Sequence, residues 1–260
     1  MFLAAIGASA PVRPRTAAHA APAKSAKTWI GRAARIEEDL KTAEVVRVED
    51  IGTGVTRPRR AYLKPGGIVE SLTWKVLPPA YRNGYWESYK SELAAYELDK
   101  LLGLNMVPPA VEREIDGSVG AAIMWVSPTT SVKQMGGKVP TDRIGGEEIR
   151  RMQLFDDLIG NSDRNAGNIL VDEANQVILI DHSRAFVESK DLPVKFARVD
   201  ADLWTAIQGL TADALRSHLG PLIGERAVDA IIERRDRMRQ TIDELVAKNG
   251  RARVFIPAHR

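Results

Sequence analysis

The chain has no cysteine, which excludes disulfides, thiolate nucleophiles and cysteine-ligated zinc. Its four histidines, His19, His182, His218 and His259, are too scattered to form a metal cluster. No segment offers the roughly eighteen uncharged apolar residues that a membrane-spanning helix needs. A dominant charge is also lacking: 37 Lys and Arg stand against 34 Asp and Glu, for a net charge of +3. So mild a balance gives no footing for a nucleic-acid partner, which is therefore not expected.

Acidic residues are missing altogether from residues 1–27, which are rich in Ala, Pro and Ser. A short apolar run, Phe2 to Ala8, and the Ala18-His19-Ala20 site fit a secretory signal, but the basic leading region is absent. The segment is expected to be a disordered tail or the remnant of a signal peptide. The location is accordingly left between cytoplasm and export. The remaining chain, within 260 residues of which 44% are hydrophobic, is long enough for a substantial core.

Apolar spacing divides that remainder. Trp29 to Leu40 reads as a short helix. Three alternating runs follow between Ala43 and Pro79, separated by a loop from Gly52 to Pro58 and by Pro65-Gly66-Gly67, the pattern of an antiparallel meander. In the third run Leu72, Trp74 and Val76 share one face and Thr73, Lys75 and Leu77 the other. A helix is predicted over Tyr85–Leu102, stopped by Gly103 and the Pro108-Pro109 pair. The apolar run Val119–Pro128 predicts a buried strand, with Met124 and Trp125 in the core. Residues 129–146 read as a connector, and "GEEIRRMQLFDDLIGN" as a helix with Ile149, Met152, Phe155 and Ile159 on one face and a stop at Gly160-Asn161. A hairpin spans Ile169 to Ile180. Helices are predicted from Ala201 onward, the last with a stripe of Ala227, Ile231, Met238, Ile242 and Leu245.

The hairpin is bracketed by oxygen-bearing side chains. Asp163 and Asn168 stand in a D-x-x-x-x-N spacing, and the hairpin can return Asp181 to the neighbourhood of Asn168. Carboxylate and amide oxygens so arranged suit a divalent cation on phosphate, with one carboxylate left to orient an attacking hydroxyl. Taken alone, Asn161, Asp163 and Asn168 equally suit backbone capping and turns. On the predicted helix, Glu92 shares a face with Tyr89 and Tyr96. An acid on such a face calls for a cation, and Lys75 on the preceding strand is a candidate, although lysine and glutamate are ordinarily solvated. The loop "DIGTGVTRP" can present backbone amides around Gly54, Val55 and Thr56 to phosphate, and a plain hairpin loop has the same composition. Arg57, Arg59 and Arg60 beside it read equally as a solvated surface. His182 reads as a packing or hydrogen-bonding residue.

"GNSDRNAGNILVD" followed by "LIDHSRAF" resembles the catalytic and metal-binding motifs of atypical kinases related to the phosphatidylinositol 3- and 4-kinases, including type II phosphatidylinositol 4-kinases, HipA-type bacterial kinases and the Golgi secreted casein kinases. "YKSELAAYELDKLLGLNMVP" resembles their segment carrying the glutamate partner of the nucleotide-binding lysine. The likeness covers about residues 45–190. It implies an α+β, two-lobed kinase-like fold: a small β-rich N-lobe with one long helix over residues 28–126, and a larger, mostly helical C-lobe over residues 127–260. It further implies ATP with Mg²⁺ or Mn²⁺ as cofactors, Asp163 as catalytic residue, and Asn168 and Asp181 as metal ligands. Lys75, oriented by Glu92, would contact the phosphates, with Gly54 and Thr56 in the phosphate loop and Met124 and Val126 at the adenine hinge. The implied activity is transfer of phosphate to a hydroxyl of an unknown acceptor, be it protein, lipid or small molecule. A nucleotide-binding pseudokinase scaffold and an AMP transferase on the same fold are the alternatives. Two departures stand out: Asp181 is followed by His-Ser rather than Phe-Gly, and the glycine loop is short.

Overall fold

The computed structural model describes residues 24–52 and 57–257. After helix α1 (Ala33–Thr42) come strands β1 (Val45–Asp50), β2 (Arg59–Leu63) and β3 (Ser71–Lys75), paired antiparallel in the predicted meander. A small hairpin follows, β4 (Ala80–Arg82) and β5 (Tyr85–Glu87), then helix α2 (Lys90–Leu102) and strands β6 (Ala110–Ile115) and β7 (Ser118–Met124). The main sheet has the order β1-β2-β3-β7-β6. Next come β8 (Thr129–Ser131), α3 (Gly146–Ile159), β9 (Ile169–Asp172) and β10 (Val177–Leu179). The remainder is β11 (Val199–Asp200), α4 (Ala201–Gly209), α5 (Ala212–Ile223), α6 (Glu225–Asn249), α7 (Arg251–Val254) and β12 (Phe255–Ile256). A β-rich first part thus precedes a mostly helical second part, as the apolar spacing predicts. None of the described helices is long and apolar enough to cross a membrane.

The meander lies between two cores. Leu72 and Trp74 belong to a smaller cluster with Trp29 and, on α1, Ile36 and Leu40, while Leu77 joins the larger core with α2 and α3. Strand β7 is covered on both sides, Ala121 facing the larger core and Ala122 and Met124 the smaller, which is why it reads as a continuous apolar run rather than an alternating one. A side-chain carbon on Gly120 would run into the Lys75 carbonyl. Its absence lets β7 lie directly against the strand that carries Lys75.

Helix ends follow local chemistry. Gly103 and Gly160, at φ 59° and 65°, end α2 and α3 in the left-handed conformation, which glycine adopts at no steric cost. Asp200 and Thr211 accept the Leu203 and Ala214 amides at the starts of α4 and α5, each cap contributing about 1 kcal/mol.

Four expectations are corrected. The helix placed over Tyr85–Leu102 begins at Lys90, because Tyr85–Glu87 pairs with β4. The turn is Asn83-Gly84, at φ 49° and 83°, and "YRNGYW" carries the Asn-Gly signal of a two-residue hairpin, which overrides helical spacing. The connector assigned to 129–146 contains β8, which pairs with β9, and β6 lies between Pro109 and Gly117 where no strand was predicted. Its exposed Glu112 and half-buried Arg113 blur the alternation. Finally, Ala26 and Lys27 are buried rather than part of a tail. The Asp172 carboxylate accepts the Ala26 amide and the Ser25 hydroxyl, and Lys27 faces Glu148 at 3.6 Å.

Candidate active site

Lys75, on β3, is 3% exposed, and its ammonium donates to Glu92 Oε1 at 2.6 Å and to Asp181 Oδ1 at 2.7 Å. Burial alone would lower the pKa of such an amine. The two carboxylates outweigh it and raise the pKa above the ordinary lysine value, so the amine stays charged. Glu92, 2% exposed in the first turn of α2, meets the same contest. Burial pushes its carboxyl up, but Lys75 and the His182 contacts leave it well below the usual range. The solvated alternative for both residues is thereby excluded by their position.

Glu92 has a second task. Its Oε2 accepts the His182 amide at 2.9 Å and lies 3.4 Å from His182 Nδ1. His182 is 1% exposed and burial holds its imidazole below its usual pKa, so it is a packed hydrogen-bonding residue, as its place in the sequence indicated. Asp181 sits at φ 58°, a backbone region that costs a non-glycine residue free energy and concentrates at functional sites. The Ser183 hydroxyl donates to its Oδ1 at 2.9 Å.

The hairpin brings the other two candidates to the same cleft. The Ile180 amide donates to the Asn168 carbonyl at 3.1 Å, setting Asn168 beside the residue before Asp181. Capping and site-building coexist here: the Asn168 amide nitrogen donates to the Asp163 carbonyl at 3.2 Å, and the Asp163 amide donates to Asn161 Oδ1 at 3.1 Å. Lys75, Glu92, Asp163, Asn168 and Asp181 all line one cleft of about 730 Å³, as do Met124 and Val126. Such a volume suits a nucleotide-sized ligand. The Val126 amide donates no hydrogen bond among the described residues. Trp125, expected in the core, is only half-buried; it also lines the cleft, with the Arg60 guanidinium 4.1 Å over its ring. Gly54 and Thr56 lie outside the described residues; Ile51 and Pro58, on either side of that loop, line the cleft.

Two arginines at the site went unread in the sequence. Arg164 grips the Asp156 carboxylate through Nε and Nη2 at 3.0 and 2.9 Å, while its Nη1 donates to the Asn168 and Ile180 carbonyls at 3.0 and 2.8 Å. One guanidinium therefore ties together the backbone next to both candidate metal ligands. Arg184 reaches Glu87 and Asp163. For Arg164 the available signal was Asp156 in the last turn of α3, since that end of a helix repels negative charge and an acid there calls for a nearby cation; for Arg184 the sequence held no comparable signal.

No protein-family model matches the chain. Protein Rv2133c of Mycobacterium tuberculosis is 30% identical to it over 212 residues, 64% of this chain and 74% of that protein. The chain belongs to the Rv2133c family. Among solved structures, this member of the Rv2133c family resembles hydra Fam20 with sugar at a TM-score of 0.70, with 15% identity, over 88% of this chain and 93% of that one. It also resembles the Golgi casein kinase with Mn and ADP bound, at a TM-score of 0.67 and 14% identity, over 86% of this chain and 78% of that one. At these identities the likeness shows the fold, which is that of an atypical kinase.

Proposed function

We propose that the chain is a phosphotransferase that moves the γ-phosphoryl group of ATP to an alcohol hydroxyl in a divalent-metal-dependent reaction. The observation that carries this reading is the Lys75 ammonium held between Glu92 and Asp181, inside a cleft that Asp163 and Asn168 also line. A charged, buried amine fixed by a helix glutamate is the arrangement that steadies nucleotide phosphates. The Mn and ADP in the Golgi casein kinase are consistent with the same ligands here. Residues 28–126 and 127–260 would be the two lobes, with Met124 and Val126 at the hinge and the Val126 amide free to receive an acceptor atom of the base. The wider kinship with phosphatidylinositol 3- and 4-kinases rests on the two sequence motifs.

Asn168 and Asp181 fit a metal by donor chemistry, both offering hard oxygens. Among the described residues no group of three or more His, Asp or Glu could hold a metal. Two side-chain ligands completed by substrate phosphate oxygens is how Mg²⁺ is ordinarily bound. The ion would supply charge neutralisation on the phosphates. Asp163 would accept the proton of the acceptor hydroxyl as its oxygen bonds the γ-phosphorus. The bond from that phosphorus to the β–γ bridging oxygen breaks, and its electron pair leaves with ADP. Lys75 would offset the charge that grows on the departing diphosphate.

The test is calorimetric titration of ATP with and without Mg²⁺, beside Asp181→Ala. Metal-dependent binding by the wild type and its loss in the variant are expected; a wild type that binds no nucleotide would overturn the reading. ATP labelled in turn at the α- and γ-phosphorus then distinguishes phosphate transfer from AMP transfer. Binding without transfer to any acceptor identifies a scaffold.

A further inference from the structure

Residues 182–185 are stitched to residues 87–92 by side-chain and backbone bonds at every position. His182 N–H donates to Glu92 Oε2, and the Ser183 carbonyl accepts the Ser88 amide at 2.9 Å. The Ala185 carbonyl accepts the Ser91 hydroxyl at 3.3 Å. The fourth stitch is Arg184, whose Nε and Nη2 both donate to Glu87 Oε1, at 2.9 and 2.8 Å. Three of these bonds end on the segment. Arg184 alone continues beyond it, its Nη1 reaching Asp163 Oδ2 at 3.4 Å.

We propose that Arg184 is a positioning residue that orients the Asp163 carboxylate, carrying the placement of β5 and α2 across the cleft to the reacting side. The role of Asp163 in this inference rests on the phosphotransferase reading. The Asp163 side chain is 39% exposed, and a carboxylate so open to water turns freely among its rotamers unless something selects one. Arg184 is able to select because its guanidinium is itself held by Glu87 and Tyr85. Its anchor, Glu87, is a 5% exposed carboxylate that must keep a cation, and the face of its guanidinium lies 4.3 Å over the Tyr85 ring. With one Asp163 oxygen held by Nη1, the other is left to meet an acceptor hydroxyl. As a partly exposed ion pair the contact adds little to the stability of the fold. Its consequence is therefore sought in rate, where an ångström of misplacement costs on the order of 100-fold.

The experiment uses the full chain with R184Q and E87Q, each alone and combined with D163N, and γ-labelled ATP with Mg²⁺, following label lost to any acceptor, water included. R184Q is expected to lower kcat by about 10- to 100-fold with the KM for ATP changed less than about twofold, and E87Q, which frees the arginine, to lower it less. In the D163N background R184Q is expected to have no further effect, since a residue acting through Asp163 has nothing left to act on. An equal loss in both backgrounds, or a loss expressed as a raised KM, would assign Arg184 to the framework or to nucleotide binding and overturn the proposal. Crystal structures of wild type, R184Q and E87Q without ligand give an answer independent of turnover. The Asp163 carboxylate is expected to leave its wild-type rotamer when the arginine or its anchor is lost, and an unmoved carboxylate overturns the proposal. Should R184Q fail to fold, E87Q serves in its place. Absence of nucleotide binding by the wild type would remove the phosphotransferase reading alone, while the rotamer comparison still decides whether Arg184 holds Asp163.

Discussion

Lys75 and Asp181 are 106 positions apart in the chain and 2.7 Å apart in space. The strand that carries the amine and the hairpin end that carries the carboxylate belong to different parts of the molecule, so this ion pair reports their mutual placement.

Asp181 is the exposed member of the pair, its side chain 35% accessible against 4% for Lys75. Asp181→Ala leaves the buried Lys75 ammonium with Glu92 as its remaining partner and removes no wholly buried carboxylate, so it is expected to destabilise the fold by less than Glu92→Gln does, while abolishing metal-dependent ATP binding. Urea unfolding alongside calorimetry checks both halves of the statement.

Glu92→Gln has the opposite profile. It leaves the buried ammonium with one partner of two and weakens the acceptor of the His182 amide, so a stability loss of about 3 kcal/mol is expected. The pH dependence has a definite sign. The Glu92 carboxyl is held below its unfolded value near 4.5, so its stabilisation is present above that pH and is lost as pH falls through the lower folded value. Between pH 7 and pH 4 the wild type should therefore lose more stability than the variant, as measured by urea midpoints at both pH values.

Asp163→Asn is expected to retain MgATP affinity, because Asp163 is assigned to the acceptor hydroxyl, while phosphate transfer falls by about 10²- to 10⁴-fold. Single-turnover transfer of labelled phosphate, beside calorimetry, tests this. Loss of nucleotide affinity instead would move Asp163 to the phosphate side.

Arg164→Lys keeps the charge but not the fork that spans the Asn168 and Ile180 carbonyls. The Mg²⁺ concentration giving half-maximal ATP binding is expected to rise by about tenfold, as when an orienting partner of a metal ligand is removed, with binding recovered at high Mg²⁺. A titration of Mg²⁺ at fixed ATP reads this directly.

Asp157 offers a test that avoids the cleft. Burial pushes its carboxyl up to about 7 from 3.8, so the folded state holds a proton that the unfolded state releases, and stability falls as pH rises between those values. Asp157→Asn should flatten that slope, with the variant faring better against wild type at pH 8 than at pH 5. Thermal melts across that range would show a parallel decline if Asp157 were not the cause.

Local sequence determined the elements whose signals are local. Period-two alternation specified the meander and the faces of β3, so Lys75 was separated from Leu72 and Trp74 before any contact was known. Left-handed glycines ended α2 and α3, and the loop chemistry around Asp163 and Asn168 announced itself by spacing. Where a signal was present but outvoted, as with Asn83-Gly84 inside a helical pattern, the stronger turn chemistry prevailed. Tertiary structure alone decided which charges are buried. Glu87, Asp156, Asp157, Arg164 and Arg234 look like solvated residues in sequence, yet Arg234 is wholly buried on α6, donating to the carbonyls of Leu158, Val187 and Ser189. Whether a charge is worth burying depends on a partner brought from far along the chain, and no local pattern records that partner. The same holds for Lys75 with Glu92 and Asp181: sequence named the residues, and only folding set them at hydrogen-bonding distance.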